Sequence, residues 1–194
     1  MRIVAGLHRG RCLAAPAGIR PTADRVRETL FNVLAHNPLG GALALPEARV
    51  LDAFAGSGAL GLEALSRGAA RATFMESDAA ALDAIRANVA ALKEEARAEV
   101  LRADATRPPR GRAPATLLLM DPPYGKDLAA PALAALADAG WLAPDALAVV
   151  ELGARDDFAP PSELGASRFE VVDERRIGDG RLVFLRFRAT PPPG

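Results

Sequence analysis

Arg49-Val-Leu-Asp-Ala-Phe-Ala-Gly-Ser-Gly-Ala-Leu-Gly61 is the stretch that decides the fold of this 194-residue chain. Its first half is apolar and predicts a buried strand, and its three glycines have the G-x-G-x-x-G spacing of a tight turn into a helix. Glu76 lies at the end of the next predicted strand, about 20 residues beyond Gly56, where such folds place a ribose-binding acid. The stretch therefore predicts a parallel sheet that binds a nucleoside-containing cofactor.

Strands and helices alternate along the rest of the chain, which predicts a doubly wound α/β sheet. The predicted strands are 49–54, 70–76, 99–102, 116–120 and 147–152, followed by a terminal antiparallel hairpin of 169–175 and 181–188. The predicted helices are 24–36, the segment from the glycine turn to 67, 78–93 and 128–139. We expect a Rossmann-like α/β fold with a seven-stranded, mostly parallel sheet and a C-terminal antiparallel hairpin.

The domain division expected from these elements is simple. Residues 1–46 form an N-terminal basic arm and helix packed on the main domain, 47–190 form the main domain, and 191–194 form a disordered tail. The chain has no net charge, but residues 1–36 contain six arginines and two acids. Basic charge is therefore concentrated at the N-terminal end, which favours an anionic partner.

Composition excludes several classes of protein. Half of the residues are hydrophobic, enough for a substantial core, and no segment approaches the roughly 20 apolar residues of a membrane span. The N-terminus lacks the apolar stretch of a signal peptide. One cysteine and two histidines make a disulfide or a structural zinc site improbable. We expect a cytoplasmic, metal-free protein that does not bind membranes, and a monomer because no coiled coil is indicated.

Asp121-Pro-Pro-Tyr124 closes the apolar strand 116–120 and is the second informative motif. Open α/β sheets bind ligands at the carboxyl ends of their strands. Two prolines stiffen the turn and have no N–H, so its backbone offers acceptors. Together with the Asp121 carboxylate, these acceptors suit an exocyclic amine, and Tyr124 offers a face for stacking a base. The motif predicts methyl transfer to a planar nitrogen.

The glycine pattern fits either a dinucleotide or S-adenosylmethionine. Asp52, just before the glycine loop, can meet an ammonium group, and Asp104, after the third strand, can accept from an adenine amino group. Both favour S-adenosylmethionine. An oxidoreductase is less well supported, because the single tyrosine, Tyr124, has no lysine at helical spacing that would complete a Tyr/Lys hydride-transfer pair.

The chain resembles the RsmD-type bacterial 16S rRNA guanine-N2 methyltransferases nearly from end to end. The resemblance rests on Met1-Arg-Ile-Val4, Arg9-Gly-Arg11, Arg20-Pro-Thr22, Asp24-Arg-Val-Arg-Glu-Thr-Leu-Phe-Asn32, Phe54 to Arg67 and Asp121-Pro-Pro-Tyr124. The Arg20 to Asn32 block is the discriminating segment, since many amino-methyltransferases share the other motifs. The family commonly has phenylalanine where this chain has Tyr124, which keeps the stacking face.

The resemblance implies a class I S-adenosylmethionine-dependent methyltransferase that acts on a guanine 2-amino group in 16S ribosomal RNA, within the small subunit or an assembly intermediate. Its implied catalytic residues are Asp121, Pro122, Pro123 and Tyr124. Its implied cofactor-binding residues are Asp52, Phe54, Gly56, Ser57, Gly58, Gly61, Glu76, Ser77, Asp104 and Ala105. Its implied RNA-contacting residues are Arg9, Arg11, Arg20, Thr22, Arg25 and Arg27.

Three alternatives stay open at this point. The same chemistry can serve another RNA or DNA base amine, or a glutamine side chain, although the basic arm favours nucleic acid. A dinucleotide-dependent oxidoreductase is the second alternative. A non-catalytic RNA-binding module is the third, and it leaves the intact glycine loop and Asp121 unexplained.

Overall fold

The computed structural model describes residues 1–15, 24–36, 45–163 and 166–189. Within these ranges the helices are α1 (Asp24–His36), α2 (Ala59–Ser66), α3 (Ala79–Leu92) and α4 (Ala129–Asp138). The strands are β1 (Arg49–Ala53), β2 (Arg71–Glu76), β3 (Ala98–Arg102), β4 (Ala115–Met120), β5 (Leu142–Gly153), β6 (Ser162–Glu163), β7 (Ala166–Ser167), β8 (Phe169–Ile177) and β9 (Gly180–Phe187). None of the described helices has both the length and the apolar character needed to cross a bilayer.

The main sheet has seven strands in the order β3-β2-β1-β4-β5-β9-β8. The first five strands are parallel, and β9 pairs antiparallel with both β5 and β8. The predicted seven-stranded, mostly parallel sheet with a terminal hairpin is confirmed. A separate two-stranded sheet of β6 and β7 was not predicted, because two-residue strands leave no periodicity in a sequence.

Helices cover both faces of the sheet. Successive side chains of a strand point to opposite faces, and in β4 Leu117 belongs to the core beneath α1, α2 and α3, whereas Leu118 belongs to the core beneath α4. Both faces of the central strands are therefore buried, which explains why β4 is a continuous apolar run and does not alternate. The predicted doubly wound arrangement is confirmed.

Strand β5 begins five residues earlier than predicted. Its pairing with β4 changes register between Ala115 and Leu117, where the partner residue jumps from Leu142 to Leu147. Asp145 has a φ of 59° in the extra segment. Proline at 144 and this left-handed residue resemble a loop in sequence, but the chain accommodates them as a bulge.

The N-terminal arm forms a hairpin, with a bridge between Arg2 and Cys12, that docks on α2. Ile3 and Leu13 are buried against the core. The fully buried Glu63 of α2 accepts hydrogen bonds from the Val4 and Ala5 N–H groups at 2.7 and 3.0 Å. Glu63 also pairs with Arg67 one turn later, at 2.7 Å. One carboxylate therefore joins the arm to the helix.

Helix α3 holds the other side of the same arm. The Asn88 side chain accepts from the Ala14 N–H at 2.8 Å and donates to the Ala14 and Ser57 carbonyls, each at 2.9 Å. His8 Nε2 lies 2.6 Å from Glu94 Oε1, and Glu94 is itself buried. These contacts fix the arm on α3 and on Glu94, just beyond its end, through side chains that are largely buried.

Some predictions fall outside the described residues. Arg20 and Thr22 lie in the segment 16–23, and the predicted disordered tail 191–194 lies beyond 189. The division into 1–46, 47–190 and 191–194 therefore stays a prediction.

Replacing Glu63 by glutamine should lower the free energy of unfolding by about 2–4 kcal/mol, because the amide turns N–H donors towards backbone N–H groups that need an acceptor. Asp83→Asn is the matched control, since Asp83 pairs with Arg86 on the exposed surface of α3 and should change stability by about 0.5 kcal/mol or less. Urea unfolding at a fixed pH measures both. If the two substitutions lowered the free energy of unfolding equally, the Glu63 carboxylate would not be what joins the arm to α2.

Candidate active site

A cavity of about 870 Å³ opens at the carboxyl edge of the sheet, a volume typical of sites for small molecules and cofactors. Each of the five parallel strands ends beside it and contributes an acid: Asp52, Glu76, Asp104, Asp121 and Glu151. Parallel strands bring these side chains together because their carboxyl ends share one edge. Residues separated by up to a hundred positions therefore meet in one site.

The glycine loop forms the floor of the cavity between β1 and α2. Phe54 has a φ of 59° and Gly56 a φ of 55°, and both line the cavity. A left-handed conformation is rare for a bulky residue, so Phe54 is held in a strained turn at the loop's entry. Ser57, also on the wall, donates to the Met1 sulfur at 3.9 Å. The N-terminus thereby reaches the cofactor side of the site.

Three of the predicted cofactor-binding residues do not reach the cavity wall. A Cβ on Gly61 would overlap the Phe74 ring and lie 3.2 Å from the Asp52 Cβ, and one on Gly58 would lie 3.2 Å from Phe74. These glycines let α2 pack closely on β2, which is the role of the last glycine in such loops. Ala105 is buried in the core beneath α4. Their place in the cofactor site is therefore indirect.

Glu76 is held rigidly at the end of β2. Its Oε2 accepts from the Gly56 N–H at 2.9 Å, and its Oε1 accepts from the Ser77 and Asp78 N–H groups at 2.7 and 2.9 Å. A carboxylate oxygen has two lone pairs, so Oε2 retains capacity for a hydroxyl donor from the cavity. Glu76 thus fixes the glycine loop and presents an acceptor at the position predicted for a ribose.

Asp52 is 1% exposed and accepts from the Gly61 N–H at 2.8 Å. Burial raises the pKa of Asp52 well above its ordinary value of 3.8; the Gly61 N–H opposes this shift, and the charges of Asp121 and Glu76 add to it. The charged form of Asp52 is therefore costly in this buried position. A cation in the cavity would relieve that cost.

Asp104 has the opposite electrostatic environment. The Thr106 hydroxyl and N–H both donate to its Oδ1, at 2.7 and 2.8 Å. These bonds, the hydroxyl first, hold the pKa of Asp104 below its ordinary range. Asp104 is therefore an ionised acceptor on the cavity wall, just beyond β3, the strand that pairs with β2 and its terminal Glu76.

The Asp121-Pro-Pro-Tyr124 loop forms the wall that faces the glycine loop. All four residues line the cavity. Tyr124 is 39% exposed, and its hydroxyl donates to Glu151 Oε1 at 2.8 Å. The ring is thus fixed at its far end, with part of its surface open to the cavity.

Sequence reasoning missed part of the wall. The missed lining residues are Met1, Val26, Ala55, Ala59, Leu60, Thr106, Lys126, Leu128, Glu151 and the β8–β9 turn Ile177–Gly180. The turn was predicted as a hairpin connection, but its place depends on β9 pairing back along β5. That pairing is long-range and leaves no local signal.

The predicted RNA-contacting arginines separate into different environments. Arg25 is exposed and lies at the cavity rim. Arg27 is fully buried and donates to the Arg2 carbonyl at 2.7 Å and to Asp24 at 2.5 Å. This corrects the prediction for Arg27, because a guanidinium inside the fold is not available to a phosphate.

The turn with Arg9 and Arg11 does not line the cavity. The Arg11 guanidinium donates to the Ala91 carbonyl at 2.9 Å, near the end of α3. The first residue before that helix, Asp78, lies beside Glu76 at the cavity. A helix rises 1.5 Å per residue, so Arg11 is about 20 Å from the cavity. A partner that contacts both this turn and the cavity would have to extend over that distance.

Comparison with known proteins agrees with this geometry. A family model described as "Conserved hypothetical protein 95" matches residues 1–186. The chain belongs to this family. Ribosomal RNA small subunit methyltransferase D of Escherichia coli (strain K12) is 45% identical over 155 residues, which cover 78% of this chain and 74% of that relative. The chain is thus similar to proteins that are named as rRNA methyltransferases.

Solved structures show the same fold. The Escherichia coli protein yhhF has a TM-score of 0.80 at 38% identity, covering 98% of this chain and 99% of that one. An RNA methyltransferase from Salinibacter ruber, solved in complex with S-adenosyl-L-homocysteine, has a TM-score of 0.64 at 14% identity, covering 90% and 98%. The predicted Rossmann-like methyltransferase fold is confirmed.

The raised pKa of Asp52 predicts a pH-dependent stability. Between the ordinary pKa and the raised one, the unfolded chain is ionised at Asp52 and the folded chain is protonated, so stability is lost as pH rises through this window. Asp52→Asn keeps an oxygen for the Gly61 N–H and cannot ionise. Its free energy of unfolding relative to wild type should therefore increase with pH.

Urea unfolding of both proteins from about pH 4 to pH 8 measures this difference. The shared titrations of other groups cancel in the comparison. A difference that stays constant over the whole range would show that Asp52 has an ordinary pKa in the folded protein.

Proposed function

We propose that this chain transfers a methyl group from S-adenosylmethionine to the exocyclic 2-amino group of a guanine in small-subunit (16S) ribosomal RNA. One observation carries the proposal: the Asp121-Pro-Pro-Tyr124 wall and the glycine loop with Glu76 face each other across a single cavity. Membership in a family with named rRNA methyltransferases supports the substrate class.

The chemistry of the cavity fits the cofactor. Among the described residues, its acids are Asp52, Glu76, Asp104, Asp121, Glu151 and Asp179, and its cationic side chains are Arg25 and Lys126. An excess of carboxylates favours a ligand with positive charge. Glu76 would hold the ribose hydroxyls, Asp104 the adenine amino group, and Asp52 the ammonium end. The bound cofactor would supply an electrophilic methyl group on a positively charged sulfur.

The other wall suits the acceptor amine. The lone pair of a guanine 2-amino group is delocalised into the ring, so the group is a poor nucleophile. Asp121 and the Pro122 carbonyl accept its hydrogens and favour the rehybridised nitrogen, while Tyr124 stacks the base. Positioning and electrostatics then supply most of the acceleration. The amine becomes acidic as the methyl arrives, so a strong base is not needed.

RNA would be held at the rim, outside the acidic cavity. Arg25 and Lys126 are the exposed cations beside it, and phosphate contacts of this kind fix orientation and do not read sequence. The turn with Arg9 and Arg11 would contact RNA at the far end. This division suits a folded RNA or an assembling small subunit, acted on by a monomer in the cytoplasm.

Transfer of labelled methyl from S-adenosylmethionine tests the function. Small-subunit particles, naked ribosomal RNA, DNA and protein from cells lacking the endogenous enzyme serve as acceptors, followed by nucleoside analysis. We expect 2-methylguanosine in ribosomal RNA. Label in adenine or in protein would overturn the proposed target and keep the reaction type.

Asp121→Asn should lower kcat for methyl transfer by about 10²–10³, because an acceptor aimed at the reacting amine is replaced by a group that also donates. Affinity for S-adenosylmethionine, measured by calorimetry, should stay close to that of wild type. Asp127→Asn is the control, since Asp127 is an exposed acid in the same loop that does not line this cavity. Loss of cofactor binding together with activity would refute the role of Asp121.

Arg25→Ala should weaken RNA binding and reduce the slope of log K against log salt concentration by about 0.7–0.9, the value for one phosphate contact. Filter binding over a salt series measures the slope. Arg86→Ala, an exposed arginine on α3 that pairs with Asp83, should leave it unchanged. Identical slopes for wild type and Arg25→Ala would place Arg25 outside the RNA interface.

A further inference from the structure

Glu151 is a buried carboxylate on the side of the cavity that the Asp121-Pro-Pro-Tyr124 loop forms. The proposed reaction gives it no role. It lies near the end of β5, is 8% exposed and lines the cavity. We propose that Glu151 reads the ring N1–H of the target base and so makes the enzyme specific for guanine. This inference rests on the proposed function and adds the group that selects the base.

Strand pairing places Glu151 beside the residue that binds the amine. Met120 of β4 pairs with Val150 of β5, so Asp121 and Glu151 follow on neighbouring strands, about 4.8 Å apart in the direction of the hydrogen bonds. Both side chains line the cavity. The wall therefore presents two carboxylates side by side.

The Tyr124 contact brings Glu151 within reach of a base that would stack on the ring. The phenol oxygen at the far end of the ring donates to Glu151 Oε1 at 2.8 Å. A base stacked on this ring lies in a parallel plane over it, so its edge falls beside the group that the phenol touches. The hydrogen bond also fixes the orientation of the carboxylate, which is necessary for a specific contact.

The β8–β9 turn borders the part of the cavity that Tyr124 and Glu151 line. A Cβ on Gly180 would lie 3.4 Å from the Tyr124 hydroxyl oxygen and 3.2 Å from the Leu152 carbonyl oxygen. The turn therefore lies close to the phenol, with space for about one methyl group between them. Glu151, Tyr124 and the turn line the same cavity.

The pair of carboxylates matches the edge of guanine and opposes that of adenine. Guanine presents the 2-amino group and the N1–H as neighbouring donors, and flipped bases are read through this edge. Adenine presents an unprotonated N1, an acceptor, next to its amino group. A carboxylate at Glu151 would accept from the N1–H of guanine and would repel the N1 lone pair of adenine.

The test uses 2-aminopurine, a base with the same 2-amino group whose ring N1 carries no hydrogen. It is incorporated by ligation at the nucleotide that wild type methylates. Wild type should prefer guanine by at least about a hundredfold in kcat/KM, since sites built for a hydrogen bond reject analogues that lack it. Glu151→Gln should reduce this preference by about tenfold or more, because its amide can donate to the N1 acceptor.

The guanine preference of wild type divided by that of Glu151→Gln isolates the contribution of the N1 contact. The 6-oxygen that 2-aminopurine lacks affects both enzymes alike and cancels. Glu170→Gln is the matched control, because Glu170 lies on the exposed face of β8 and pairs with Arg188; its preference should equal that of wild type. Cofactor affinity and thermal unfolding of Glu151→Gln verify that the isosteric change leaves the fold intact.

The same substitution in a Tyr124→Phe background separates direct reading from an effect through the ring. Glu151→Gln should still reduce the guanine preference there. If it changes nothing in that background, or if the preference is unmoved in wild type, Glu151 does not contact the base and the inference is overturned. If wild type methylates guanine but Glu151→Gln leaves the guanine preference unchanged, the proposed function stands and the role of Glu151 does not. If wild type methylates no guanine, the proposed function and the role of Glu151 are both wrong.

Discussion

The parallel pairing of β1 with β4 is the constraint on which the rest of this structure depends. The chain builds β1, β2 and β3 in one direction across the sheet and then returns to place β4 on the other side of β1. Ligands bind at such a reversal because the connections leave in opposite directions and open a crevice. Ala53 pairs with Met120, so the glycine loop and the Asp121 motif begin at the same level. The two halves of the proposed reaction meet through this single pairing.

The acidity of the crevice follows from that arrangement and has a cost. Burial raises the pKa of Asp52, the most buried of these acids, and the charges of Asp121 and Glu76 add to the shift. Asp104 has a lowered pKa instead, because two donors from Thr106 stabilise its charge. A cationic ligand relieves the repulsion, whereas a polyanion would add to it. An RNA of the proposed kind would keep its phosphates outside the cavity, where the exposed Arg25 lies at the rim.

Local patterns predicted the parts of the site that local sequence determines. The glycine spacing, Glu76 and the stiff Asp121-Pro-Pro turn each follow from backbone geometry within a few residues. Glu151 and the Gly178–Gly180 turn could not be predicted, because their places depend on β9 returning along β5. Arg27 is a different case: with Leu30, Phe31 and Leu34 it has the spacing of a buried helical face. The spacing indicates a buried position, although an arginine is seldom fully buried unless it is paired.

Helix α2 couples the glycine loop to the N-terminal hairpin and α1. Its eight residues follow Gly58 of the glycine loop, and its second half contains Glu63, which accepts hydrogen bonds from two backbone N–H groups of the hairpin. That hairpin carries Met1 to the cavity wall, and the Arg2 carbonyl in it receives the buried Arg27 of α1. Arg27 in turn lies two residues from Arg25 at the rim. The arm is therefore not an independent appendage, because a displacement of α2 would move the glycine loop, the hairpin and α1 together.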